Sequence, residues 1–317
     1  MKSLLKSPWL GRIAQWAIII VALAYVTRSV VDNWEALSQY RQQFDPRYLA
    51  VSLTAGIVGR YLLGLAAHEA LKALGVRLDS RTIFRAFHLS GLSSYVPGGL
   101  YLGRPVIFVQ HGVDVVSTSA GILIEQSTVS LVELVGAVPY LLLIGLGTWA
   151  RSWTLGVLMV FGMLVFIHPA VMNRILRWLL KRMGHADRVV NLTFGQLARM
   201  LLLESVFWVT SSVGSLFLIN SVYRVPLNIV PALVSAHSLS AFAGRNLSLT
   251  PGGLGVREGV STLLTSPLLP APVPALVAIM GRLSHTVVVL IMFGIAALMG
   301  ERPRRRAAAQ GASSSED

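Results

Sequence analysis

Long apolar runs decide what this chain can become. Stretches at about 13–30, 48–75, 115–147, 153–169, 197–222 and 273–299 are each long enough to cross a hydrocarbon core of roughly 30 Å, for which about 20 apolar residues suffice. Only 13% of the 317 residues are charged, about half of the roughly 25% usual in a soluble domain. Too few polar side chains remain to coat a water-exposed globule, and the mean hydropathy is +0.65. The expected fold class is an all-α integral membrane protein with about six full spans. The polytopic membrane domain covers 1–300, and 301–317, which has no apolar content, is expected to be a disordered cytoplasmic tail.

Two further apolar stretches, about 82–110 and 229–264, are broken near their middles. Val96-Pro97-Gly98-Gly99-Leu100 interrupts the first, and Thr250-Pro251-Gly252-Gly253-Leu254 interrupts the second, 154 residues later. Pro and paired Gly end a helix sharply, so each stretch is expected to enter and leave the membrane on one side. Counting Lys and Arg orients the chain on that basis. Seventeen fall on one side, near both termini, around 72–85 and around 174–199; five fall on the other. The positive-inside rule makes the rich side cytoplasmic and puts both termini there. The same asymmetry accounts for the formal charge of +13 without a nucleic-acid partner. One broken stretch then enters from the cytoplasm and the other from outside. The units at about 48–147 and 197–299 thus form an inverted repeat with two re-entrant broken helices, an arrangement that in transporters places the substrate near the midplane.

Six ionisable residues fall inside proposed full spans: Arg60, Glu69, Glu125, Glu133, Glu204 and Arg282. At about 2.5–3.5 kcal/mol each, six facing lipid would cost roughly 15–21 kcal/mol, more than the ~5–15 kcal/mol stability of a typical domain. They must face one another, the bundle interior or a wet cavity. Arg104, Arg245 and Arg257 cluster around the breaks. Free N–H groups where a half-helix starts, opened by Gly98, Gly99, Gly252 and Gly253, make an anion site, and Arg adds forked donors suited to phosphate. Glu258 is a candidate partner for one of these arginines or for a cationic group on a lipid. Arg257 and Glu258 are sequence neighbours and face different partners on a helix, whereas Arg282 and His285 share a face. Residues 172–188 alternate basic and apolar, as an interfacial helix on an anionic leaflet would.

The run Leu249-Thr250-Pro251-Gly252-Gly253-Leu254-Gly255-Val256-Arg257-Glu258-Gly259, followed by Arg282, resembles the signature of the lysylphosphatidylglycerol synthase transmembrane region, the flippase part of the bacterial multiple peptide resistance factor. The earlier Pro-Gly-Gly with Arg104 and Glu125 is similar to that family's first-half pattern. It departs from it at Leu102-Gly103, where an acidic residue is usual, and at Glu125-Gln126, where the family has Glu-Arg. The resemblance spans roughly 15–300, and the 17 residues after Gly300 are too few for the synthase's aminoacyltransferase domain. It implies lipid translocation in a bacterial cytoplasmic membrane and argues against lysyl transfer.

No HExxH, G-x-S-x-G, Walker A or G-x-G-x-x-G is present, and there is no Cys; no cofactor, metal or catalytic residue is expected. The expected site is Arg104, Glu125, Arg245, Arg257, Glu258 and Arg282 with the four glycines of the breaks. The expected partner is a membrane lipid with an anionic or polyprenyl-linked headgroup, and an oligomer is left open. Two other classes stand beside translocation: an integral membrane enzyme on lipid phosphates, with Glu125 or Glu258 as general base, and a non-catalytic partner of a membrane glycosyltransferase.

Overall fold

A computed structural model describes residues 44–95, 99–144, 150–185, 190–246 and 255–299, with the single positions Val31, Glu35 and Ser38. The expected first span at 13–30, the tail 301–317, and Gly98, Gly252 and Gly253 lie outside the described residues. Every regular element within them is helical.

Local sequence sets the helix ends. α1 (Pro46–Ala73) starts where Asp45 accepts from the Arg47 N–H at 2.9 Å, with Pro46 in a first turn that needs no donor. Asp79 caps α2 (Ser80–Leu89), which tightens into a 3-10 turn over Ser90–Tyr95 before the first break. α3 (Gly99–Gln110) follows the break, and α4 (Val115–Ile144) opens where Asp114 accepts from the Ser117 N–H at 2.9 Å. α5 (Ala150–Ile167) and α6 (Pro169–Arg182) meet at a 66° bend, since Pro169 cannot donate to a continuing helix. Thr193 and Gln196 form a capping box at the start of α7 (Phe194–Asn220). α8 (Val230–Asn246) leads to the second break, and α9 (Val256–Thr265) and α10 (Val273–Leu298) complete the fold.

Five helical segments are long and apolar enough to cross a membrane: Pro46–Ala73, Val115–Tyr140, Phe194–Asn220, Leu227–Asn246 and Val273–Leu298. The bent α5–α6 pair makes a sixth. The chain is an all-helical, multi-pass membrane protein. Two details differ from the sequence expectation. Leu227–Asn246, expected as one limb of a broken stretch, is by itself long enough to cross, and the run at 153–169 bends directly into the basic helix α6.

α1 and α7 form the central pair. They run antiparallel and are tied at both ends, because the Asp45 N–H donates to the Ser221 carbonyl at 3.0 Å and the Asn191 N–H to that of Ala73 at 2.9 Å. Apolar clusters close the two ends. Ala70, Ile124, Ile167, Met172 and Met200 gather where α1 ends and α4 and α7 begin; Leu218, Val222, Leu233, Val273 and Leu276 gather where α7 ends and α10 begins. Elsewhere the usual order is inverted. Val157, Phe161, Leu202, Val209 and Ile291 are exposed on the outer faces of spans, while Arg104, Glu125, Glu133, Glu204 and Arg282 are buried. A bilayer around the spans makes both placements favourable.

Packing in this setting is dispersion rather than escape from water, since lipid is as apolar as the core. Met172 and Met200 are both fully enclosed. Met200→Ala should therefore lower stability by about 2 kcal/mol, the lower end of the range for such truncations. Phe161→Ala on the lipid side should change it by much less, as read by unfolding in mixed micelles.

Candidate functional site

Between the two apolar ends lies a cavity of about 360 Å³. Its walls come from the middles of four long helices: Ser52–Leu63 of α1, Glu125–Glu133 of α4, Phe207–Leu218 of α7 and Val277–Val288 of α10. The limbs flanking both breaks complete it, with Gly91, Tyr95, Gly99 and Arg104 from the first and Gly244, Arg245, Arg257 and Glu258 from the second. Six of the expected site residues and Gly99 thus line one space. Gly99 opens α3 hard against the Ser93 carbonyl, where a side chain would not fit.

Local geometry places the limbs. The first ends at Tyr95, whose hydroxyl donates to Thr286 Oγ1 at 2.8 Å in the middle of α10. The second ends at Asn246, whose Nδ2 donates to Ser130 Oγ at 3.0 Å in the middle of α4. The limb before each break therefore stops beside the centre of a long helix from the other half of the chain. After the second break, Gly255 takes a φ of 82°, open to glycine, and its N–H donates to Glu258 Oε2 at 2.8 Å. That bond fixes Glu258 in the first turn of α9.

Three ion pairs cross the site. Arg104 Nη1 donates to Glu125 Oε2 at 2.8 Å, with both residues buried and the guanidinium 4.4 Å from the centre of the Phe87 ring. Arg245 grips Glu133 with two bonds, Nε to Oε2 at 3.0 Å and Nη2 to Oε1 at 2.8 Å, while its Nη1 donates to Gln126 at 3.2 Å. Arg282 Nε and Glu258 Oε1 are further apart, at 3.8 Å, and the Arg282 guanidinium lies 5.3 Å from the Tyr95 ring. Arg257 does not share the partner of its neighbour Glu258; it packs against Gly244. Arg282 and His285 both face the cavity.

The remaining intramembrane charges divide. Arg60 and Glu133 line the cavity and belong with the site. Glu204 is enclosed behind its wall, with Thr128 Oγ1 at 2.8 Å. Glu69 is apart from it, bridging Lys72 at 2.7 Å and the exposed Arg199 at 3.1 Å, and so clamps α1 to the start of α7. The sequence marked Arg60 and Glu133 as charges needing shelter, but helix periodicity alone does not tell which span faces which break. The cavity's serines and the Trp208 Nε1–Ser238 Oγ bond at 2.5 Å carried no signal in the sequence at all.

A polytopic helical bundle whose interior cavity is lined by the limbs around two helix breaks and crossed by intramembrane ion pairs defines a class of multi-pass membrane domains. The chain belongs to the family described as the lysylphosphatidylglycerol synthase TM region, whose model matches residues 12–292 and so takes in every residue of the site. A comparison with curated proteins gave no match.

Breaking a buried pair leaves an uncompensated charge, worth about 3–5 kcal/mol. Arg104→Ala should therefore lower stability by that order by stranding Glu125. The double variant Arg104→Met, Glu125→Leu should recover most of it, measured as melting of the purified protein in detergent.

Proposed function

We propose that this protein moves a lipid bearing a phosphate headgroup between the leaflets of the bacterial cytoplasmic membrane. The observation that carries the reading is a mid-span cavity with five guanidinium groups against three carboxylates. Forked donors of this kind match phosphate oxygens, and acyl chains stay in the bilayer while the headgroup traverses the polar interior. Membership of a family named for a lipid synthase's membrane region supports a lipid substrate.

The domain works as two inverted units, about 48–147 and 197–299, with a broken re-entrant helix in each. Three observations support this. α4 packs on α8 and α10 packs on α2, a reciprocal exchange between the halves. The limbs before the breaks stop at Thr286 and Ser130, each in the middle of the other half's long helix. Arg104 and Glu258 both stand five residues past the last glycine of their motif, and each pairs with the long helix that follows, with the charges exchanged. The ends of α1 and α5 and the starts of α4 and α7 share one apolar cluster with the basic helix α6, in keeping with the charge-derived orientation and cytoplasmic termini.

Enzymatic use of Glu125 or Glu258 as a general base is less well supported. Each carboxylate is committed to an arginine, and Glu258 also accepts from the backbone of Gly255. A general base needs its lone pair directed at a substrate proton.

In proteoliposomes carrying a fluorescent phosphatidylglycerol, the protein should speed quenching of inner-leaflet label by an impermeant reductant. Arg257→Ala should slow it about tenfold without lowering the melting temperature, since it breaks no ion pair among the described residues. Arg257→Lys should also be slow, because a point charge does not reproduce the fork. A wild-type rate equal to that of empty vesicles, across anionic lipids, would sink the reading.

A further inference from the structure

The five arginines of the cavity are not equivalent. Arg104, Arg245 and Arg282 each have a carboxylate. Arg60 and Arg257 form no ion pair among the described residues, and the undescribed segments at the breaks, 96–98 and 247–254, contain no acidic residue. Arg60 Nε is buried without a hydrogen-bond partner, and its guanidinium lies 5.8 Å from the centre of the Phe87 ring. A guanidinium keeps its proton in a protein. The lining histidines, His237 and His285, can add positive charge but not remove it. The lining residues themselves therefore carry two positive charges beyond those that Glu125, Glu133 and Glu258 balance, the fourth carboxyl of the region, Glu204, being enclosed behind the wall on Thr128 and within electrostatic reach of Arg245.

Each surplus arginine packs against a glycine of the limb before a break. A Cβ at Gly91, in the turn before the first break, would lie 2.5 Å from Arg60 Nη2. A Cβ at Gly244, in the last turn before the second break, would lie 2.7 Å from the Cβ of Arg257. The first limb is thus bared to backbone at the Arg60 guanidinium, and the second at the stem of the Arg257 side chain, once in each half. His285 on α10 lies within electrostatic reach of both arginines.

From this arrangement we infer that the headgroup taken into the cavity is dianionic, a lipid phosphomonoester whose two charges answer Arg60 from one half and Arg257 from the other. The inference rests on the translocation reading for what the cavity is for, and narrows its substrate from any phosphate lipid to a doubly charged one. A phosphodiester brings one charge and leaves one guanidinium unanswered in a low-dielectric site, where uncompensated charge is costly.

Binding is measured on the full-length protein in phosphatidylcholine nanodiscs, with dioleoyl phosphatidic acid as the monoester and dioleoyl phosphatidylglycerol as the diester. At pH 8 the monoester should bind about tenfold more tightly, and the ratio should shrink toward pH 5.5 as its second proton, with a pKa of about 6 in phosphomonoesters, returns. Protonation of His237 or His285 would add positive charge and raise the ratio, so a ratio that falls toward pH 5.5 reports the headgroup's own proton. Arg60→Gln and Arg257→Gln should each remove most of the preference. Equal binding of the two lipids at pH 8 by the unmodified protein, or a ratio that ignores pH, overturns the inference whatever the variants do. Inorganic phosphate and glycerol 3-phosphate should compete poorly; if either competes as well as the lipid, the assignment to a lipid fails. Translocation is scored separately in vesicles. Monoester preference without movement overturns the translocation reading alone, and diester movement as fast as monoester movement overturns this inference alone.

Discussion

The pairing of buried charge is the constraint on which the rest of this structure depends. An ionised carboxylate inside a bilayer is costly unless a cation or hydrogen-bond donor stands beside it. Glu125 and Glu133 have such partners in Arg104 and Arg245, and Glu258 has the Gly255 N–H with Arg282 at 3.8 Å. Each pair joins different helices, α3 to α4, α4 to α8, and α9 to α10, and the α4–α8 pair joins the two halves of the chain. The pairs thereby fix the register of the limbs against the long helices, and the limbs flanking the breaks line a common space because their charges have nowhere else to go.

The central α1–α7 pair supplies the frame for that space. Its two backbone bonds, Asp45 to Ser221 and Asn191 to Ala73, lock the ends. Its middle carries small residues: Gly56 and Gly59 on α1, and Ser211, Gly214 and Ser215 on α7, all on the cavity wall. Small side chains let helix backbones approach closely where lipid gives no hydrophobic push, and they leave room for the guanidinium of Arg60. Apolar clusters at the two ends and a polar middle divide the bundle by depth, and the limbs before both breaks terminate within that polar middle.

Much of this was legible in the sequence because the bilayer restricts what apolar runs can do. Run length alone places α1, α4, α7 and α10, and the paired Pro-Gly-Gly motifs mark where helices must stop. The division of labour between Arg257 and Glu258 follows from the angle between adjacent helical residues, and the structure indeed gives them different neighbours. Which charges meet was not legible. Glu69 and Glu133 look alike as acids in apolar runs, yet one clamps the α1–α7 end and the other holds Arg245 across the cavity. That difference arises from rotation and depth of whole helices, which depend on packing contacts far apart in sequence. The long limb Leu227–Asn246 shows a related limit of local pattern: length permits it to cross, but its last residue is held beside Ser130 by a contact no local pattern encodes.

The unequal tightness of the three pairs gives the site a direction. Arg245 holds Glu133 with two bonds of 2.8 and 3.0 Å, and Arg104 sits 2.8 Å from Glu125 against an aromatic face. Arg282 stands 3.8 Å from Glu258, a separation too long for a hydrogen bond, and Glu258 spends its other oxygen on the Gly255 N–H. The ion pair between α9 and α10 is therefore the longest of the three. An anion arriving beside Arg257 would find in Arg282 a guanidinium whose acidic partner is already shared, whereas Arg104 and Arg245 have their forks occupied. The longer pair thus leaves the α9–α10 side of the cavity less tightly held by charge than the side closed by Arg104 and Arg245.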